Sequence, residues 1–355
     1  MISNLQALRG LAALAVVFYH TAFTFNGGTH TDFQAVSVFF VISGFIMTYI
    51  TRADADHFLQ QRLVRIVPLY WLCTLGALAA AWLLRDTGRT WADAGMGNVI
   101  KSLLFVPYRD VHGEVQPILP VGWTLNLEMF FYALFAIGLM ISRRWAPLLA
   151  CIGLVAFKIL PRQLGCSALL CEFYAHDYTA FLILGIASFY VWEGIKGFAE
   201  DRPWIAASVA IPSALVFVLW NADPPFADAI QGQVGFPIYY AMPPLLVLSV
   251  LTLHAARLRC KWKPLLLLGD ASYALYLTHI MVMELGTIIR SKTIGDQVTA
   301  VNPGESVVAM LCVLLVCSLA AIVIHLKVEL PTLRILRRLL IKRSQPAKLP
   351  VPRPV

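Results

Sequence analysis

Charge is what this sequence lacks most. Lysine, arginine, aspartate and glutamate together make up 14% of its 355 residues, against about 25% in an ordinary soluble domain. Apolar residues make up 59%, and mean hydropathy is +0.72. A water-exposed surface of normal composition is excluded, and the chain reads as a polytopic membrane protein. Cysteine is sparse too. Most of the seven (Cys73, Cys151, Cys166, Cys171, Cys260, Cys312 and Cys317) sit inside apolar runs, where cysteine behaves as a small hydrophobe. They form neither a metal nor a disulfide framework, so no metal is expected. Cys166 and Cys171 share a short loop and would pair only if it faces an oxidising space. No small-residue cleavage site follows the first apolar run, so that run is expected to stay as a membrane helix rather than be removed as a signal. Internal repeats of the kind many transporters carry are not seen.

What is present is a series of apolar runs. About 20 residues are needed to cross a hydrocarbon core, and ten runs qualify or come close: 8–25, 35–51, 66–84, 122–142, 145–160, 177–194, 204–220, 237–255, 264–289 and 306–328. The expected fold is therefore all-α, a membrane helix bundle of about ten spans in a single domain over 1–343. Between the third and fourth runs, the segment 85–121 is too long for a turn. Its amphipathic middle, NVIKSLLFVP (98–107), is expected to lie in the interface or re-enter. Lysine and arginine set the orientation. With both termini cytoplasmic, 20 of the 28 fall on the inner side and eight outside. The tail 344–355, Pro-rich and basic, reads as a disordered cytoplasmic end lying near anionic lipid. Because the net charge of +8 comes mainly from loops and tail, nucleic acid is not an expected partner.

Among the ionisable residues within these runs, four carry the functional reading. Arg9 and His20 stand eleven residues apart in LRGLAALAVVFYH. At about 100° per residue that separation returns to nearly the same helix face, with a rise of roughly 16 Å. Arg9 then sits toward the cytoplasm and His20 in the outer half. Glu128, about six residues below the outer surface on the fourth run, and His279 on the ninth fall in the same outer band as His20. Ionisable groups inside a span are costly and point to function. Each histidine alone is as readily a hydrogen-bonded packing residue. An unpaired carboxylate in hydrocarbon would protonate, so a His20–Glu128 pair is the expected arrangement, offering a base near neutral pH with a carboxylate to orient it.

On the cytoplasmic side, HFLQQRLVRIVPLYW carries Arg62 and Arg65 three residues apart. On a short helix they share a face, and paired guanidiniums suit phosphate; the positive-inside rule explains them equally well. Pro68 would mark the start of the next helix. Ser43-Gly44 in FFVISGF is a small-residue spot for close backbone approach, with ordinary helix packing the simpler reading.

Six strings in order, LQALRGLAALAVVFYH (5–20), VSVFFVISGFIMT (36–48), FLQQRLVRIVPLYW (58–71), VGWTLNLEMFFY (121–132), DASYALYLTH (270–279) and VELP (328–331), resemble the membrane-bound acyltransferase family 3, most closely its bacterial exopolysaccharide-acetylating branch. The resemblance covers nearly the whole chain. It implies transfer of an acyl group, usually acetyl, from cytoplasmic acetyl-CoA to a sugar hydroxyl of an envelope glycan or lipid-linked sugar, at the bacterial cytoplasmic (inner) membrane. The family's arginine–ten residues–histidine pattern falls on Arg9 and His20, with His20 catalytic. Its arginine pattern falls on Arg62 and Arg65, as CoA phosphate contacts, and its tryptophan-to-glutamate pattern falls on Trp123 and Glu128. Many members carry an appended esterase-like domain; this chain is expected to act alone or with separate partners, such as a polysaccharide export complex.

The expected mechanism places CoA at the inner mouth, held by Arg62, Arg65 and Arg9. His20 either deprotonates the sugar hydroxyl or carries the acetyl group itself. Glu128 would balance the imidazole, and Trp123 would stack on a sugar ring. Tyr273, Tyr276 and His279 would line the acceptor side. Acceptor choice would reside in the outer loops 26–34, 85–121, 161–176, 221–236 and 290–305. Two rival readings remain: a transporter or flippase of a glycan or lipid-linked intermediate, and a receptor-like or scaffold protein needing no chemistry.

Overall fold

The computed structural model describes residues 2–25, 34–83, 95–110, 113–222, 238–294 and 303–341. The tail 344–355, most of loops 26–34 and 221–236, and parts of 85–121 and 290–305 lie outside the described residues. Among the described residues there is no β-strand, only an isolated bridge between Arg109 and Val115. The helices are α1 (Ser3–Phe25), α2 (Ala35–Ala53), α3 (Phe58–Leu83), α4 (Met96–Leu103), α5 (Trp123–Ile141), α6 (Ala146–Gln163) and α7 (Leu169–Tyr174). They continue as α8 (Thr179–Asp201), α9 (Pro203–Ala222), α10 (Ile238–Ala255), α11 (Lys263–Asp270), α12 (Ser272–Ile294), α13 (Pro303–Ile324) and α14 (Leu330–Leu340).

Each of the ten apolar runs coincides with one of these helices or a joined pair, but not all as plain spans. Seven are long and apolar enough to cross a membrane. Those of α6 and α9, Ala146–Pro161 and Pro203–Leu219, are apolar but shorter. The run 264–289 is broken: α11 and α12 meet at 75° around Ala271. The last span passes from α13 through a π-helical turn, His325–Glu329, into α14. The third helix also differs from expectation. It begins at Phe58, so Arg62 and Arg65 lie on the span itself, and Pro68 sits inside it rather than at its start. An interior proline costs one backbone hydrogen bond, which membrane helices tolerate when neighbours reach the freed groups. The carbonyl freed by Pro68 is that of Val64, four residues back; near it, the Tyr273 hydroxyl donates to the Ile66 carbonyl, 2.7 Å away.

In a bilayer the apolar effect does not drive helices together, so close packing of small residues does that work. At the crossing of α2 and α8, a Cβ on Gly44 would stand 2.2 Å from the Leu182 carbonyl oxygen, and one on Gly185 2.2 Å from that of Val41. Gly44 is therefore a packing residue, as its simpler reading held. Gly269 brings α11 against α1 in the same way, with the Gln6 carbonyl oxygen 2.1 Å from where its Cβ would be. Large apolar side chains such as Leu72, Leu75, Trp82, Leu311, Leu315 and Leu319 face outward, as a lipid-facing surface requires.

Polar side chains tie the ends. Arg143, at the α5–α6 corner, donates to the Thr51 carbonyl at 2.6 Å and to the Arg52 carbonyl, closing the C-terminus of α2 with a cation where the helix dipole favours one. Asn4 bonds the Leu258 carbonyl at 2.8 Å and receives the Cys260 N–H at 2.7 Å. The amphipathic α4 buries only Ser102; that residue's carbonyl accepts from Tyr70 of α3. Cys166 and Cys171, between α6 and α8, are joined by a disulfide.

Candidate functional site

Two cavities lie one above the other in the bundle, called inner and outer after the orientation expected from the lysine and arginine count. The inner one, about 130 Å³, is lined by Arg9, Arg62, Arg65, Ser43, Glu128, Tyr132, Ser272 and Tyr273, with apolar residues of α2. The outer one, about 360 Å³, is lined by Tyr19, His20, Gln34, Gln116, Trp123, Tyr178 and Tyr239, among others. Val36 and Tyr276 line both, so they form the partition between them.

Helical spacing explains which side chain enters which cavity. On α5, Thr124, Glu128 and Tyr132 follow at i, i+4 and i+8, one stripe of a helix, and all three face the inner cavity. Trp123, at the outer end of the same helix, faces the outer one. On α1, Arg9 and His20 share a face but are roughly 16 Å apart along the axis, and each reaches a different cavity. On α12, Ser272 and Tyr276 are one turn apart, and His279 lies about 10 Å beyond Ser272 at 1.5 Å per residue.

The inner cavity is a cluster of cations around one carboxylate. Glu128 Oε1 accepts hydrogen bonds from the hydroxyls of Ser43 and Tyr132. Arg9 feels the like charge of Arg65 and the carboxylates of Glu128 and Glu329. Among the described residues, no carboxylate forms an ion pair with Arg9, Arg62 or Arg65 within 4.0 Å, and Arg62 Nε is buried without a partner. Three guanidiniums facing one carboxylate suit a multiply charged anion. This donor set fits the phosphates of a CoA thioester.

The outer cavity is aromatic, with His20 in its lining. The His20 ring lies 5.2 Å from that of His279 and 5.3 Å from that of Tyr19. His279 is fully buried; its Nδ1 is 3.1 Å from the Leu275 carbonyl. That contact assigns the proton to Nδ1 and leaves Nε2 a lone pair. Trp123 packs against His176 at 5.4 Å and edge-on against Tyr178 at 5.3 Å.

The expected His20–Glu128 pair is therefore not what this geometry forms. Glu128 is engaged by Ser43 and Tyr132 in the inner cavity, while His20 meets His279 and Tyr19 at the outer one. Residue counts along separate helices fix depth, but not which way each helix is turned. Tyr273, expected on the acceptor side, faces the inner cavity; Tyr276 reaches both; His279 backs His20 rather than lining the open space. Several participants escaped the sequence reading. Tyr132 sits one turn from Glu128 on the same face, a signal that could have found it. Ser272, beside Tyr273, gave none. His325 and Glu329, joined at 2.7 Å and buried in the π turn, stand four apart at the end of an apolar span, where ionisable residues merit notice.

Residues 2–324 match the acyltransferase family 3 profile, described as Acyltransferase domain. The chain belongs to this family and is a multi-pass membrane acyltransferase. The exopolysaccharide production protein ExoZ of Rhizobium meliloti (strain 1021) is 34% identical over 70% of this chain and 76% of its own length. Acyltransferase MdmB of Streptomyces mycarofaciens is 23% identical over 94% of this chain and 92% of its own. Peptidoglycan O-acetyltransferase OatA of Listeria monocytogenes is 25% identical over 81% of this chain, which spans half of that relative's length. No solved structure matches.

Proposed function

We propose that this protein acetylates a sugar hydroxyl of an exopolysaccharide or other envelope glycan at the bacterial inner membrane, taking the acetyl group from cytoplasmic acetyl-CoA. One observation carries the reading. A cation-lined inner cavity and an aromatic outer cavity meet at Tyr276 and Val36, with His20 on the outer side. Cations at one end suit an anionic donor, and aromatic faces at the other suit the apolar faces of a sugar ring. The relatives add support, since ExoZ is named for exopolysaccharide production and OatA for O-acetylation. The positive-inside count and a disulfide in the loop after α6, on the oxidising side, favour the same orientation.

When bound, the thioester supplies an acyl group on a good leaving group. Arg62, Arg65 and Arg9 would hold its phosphates. As general base, His20 would take the proton of the acceptor hydroxyl while its oxygen attacks the acyl carbon. The carbon–sulfur bond breaks, and the thiolate regains a proton to leave as free CoA. As acyl carrier, His20 would attack the thioester carbon, the carbon–sulfur bond breaking to release CoA, and the acetyl–imidazole bond would break in a second step as the acceptor hydroxyl oxygen takes the acetyl group and gives its proton to the imidazole. His279, with its proton on Nδ1, would pack the His20 ring in place.

The test is transfer of labelled acetyl from acetyl-CoA to glycan by the purified protein. His20→Ala should abolish transfer with folding intact, and undiminished transfer would end the proposal. Trapping acetylated His20 in acceptor-free protein separates carrier from base. Mass analysis of envelope glycans with and without active protein identifies the acceptor.

A further inference from the structure

We propose that the N-terminal end of α12, with the Ser272 hydroxyl, binds a phosphoryl group within the inner cavity that the three arginines also line. This rests on the reading of that cavity as the donor site and assigns one of its walls.

Two independent features meet there. The first is the 75° break at Ala271, which ends one helix inside the bundle and starts another whose N-terminus faces the cavity. A helix start presents its first N–H groups and the positive end of its dipole, and half-helices in membrane proteins aim such ends at anionic groups. The second is Ser272 itself. Its side chain is 0% exposed and lines the cavity, yet its Oγ has no hydrogen-bond partner among the described residues. A buried hydroxyl at a helix start ordinarily bonds the backbone or a ligand. The electrostatics point the same way. The same cavity is lined by Arg9, by Arg62 with its own unpartnered buried Nε, and by Arg65. The cavity's single carboxylate, Glu128, already accepts from Ser43 and Tyr132. A helix dipole and three guanidiniums outnumber the two carboxylates in reach, Glu128 in the lining and Glu329, whose charge Arg9 also feels. A phosphoryl group offers the remaining negative charge, and its several oxygens can accept from the guanidiniums and from Ser272 together.

The placement also orients the donor. From Ser272, α12 carries Tyr276 one turn on and His279 two turns on, beside His20. A phosphate anchored at the helix start leaves an attached thioester arm running along this face toward His20.

Calorimetry on the purified full-length protein in detergent, with inorganic pyrophosphate, CoA and phosphate-free pantetheine as probes, tests this. Ser272→Ala should weaken pyrophosphate and CoA about tenfold, the scale of one hydrogen bond to a charged group, and leave pantetheine unchanged. Ser272→Cys, nearly isosteric but a weak donor, should do the same and serves if the alanine variant misfolds. Undiminished pyrophosphate and CoA binding in both variants would overturn the proposal while leaving the donor reading standing. Equal weakening of pantetheine would also overturn it, by marking the loss as structural. If pyrophosphate binds and weakens in the variants but CoA never binds, the anion site stands and the donor reading falls.

Discussion

The inner and outer cavities share a partition and little else. The inner one is small, cationic and closed in by α1, α2, α3, α5 and α12; the outer one is larger, aromatic and bounded partly by loops. Among the described residues its lining carries one imidazole, that of His20, and no charged side chain. The difference teaches that the arginine and the histidine of one helix face need not act together. A stripe on α1 delivers one residue to each cavity because eleven residues of helix separate them by roughly 16 Å along the axis.

Mutations sharpen or break this division of labour. The largest effect should come from His20→Ala, about 10²–10⁴-fold in transfer rate, with CoA affinity unchanged in calorimetry; loss of CoA binding would merge the two cavities into one site. Next comes Arg62→Ala or Arg65→Ala, each weakening CoA by roughly 10–100-fold, the range for a hydrogen bond to a charged group, with acceptor KM unmoved. Arg62→Lys should recover only part, since an ammonium cannot present the planar fork. Trp123→Ala should raise the acceptor KM by about 2–10-fold, the scale of an aromatic contact, and leave CoA affinity alone. The smallest shift is expected in a pH profile. Glu128→Gln keeps acceptors for Ser43 and Tyr132, so it should alter the donor KM while the acidic limb set by His20 stays in place. A moved acidic limb would restore the His20–Glu128 partnership that the geometry does not form.

The sequence by itself determined a good deal. Scarce charge and ten apolar runs gave a membrane helix bundle, and each run found its helix. The spacing of Arg9 and His20 placed both on one face at different depths, because periodicity within a single helix is read directly from residue number. The match of Gly44 to packing followed from its size. Only the tertiary structure decided what faces what. Glu128 turned to Ser43 and Tyr132 rather than to His20, and Tyr273 entered the inner cavity. The ninth run broke at Ala271, and Arg62 and Arg65 moved onto the span itself. The physical reason is common to these cases. Rise per residue fixes depth along each helix, but rotation about its axis and breaks along its length are set by the neighbours it packs against. In a bilayer those neighbours are chosen by small-residue contacts such as Gly44 with Gly185, which join segments far apart in the chain.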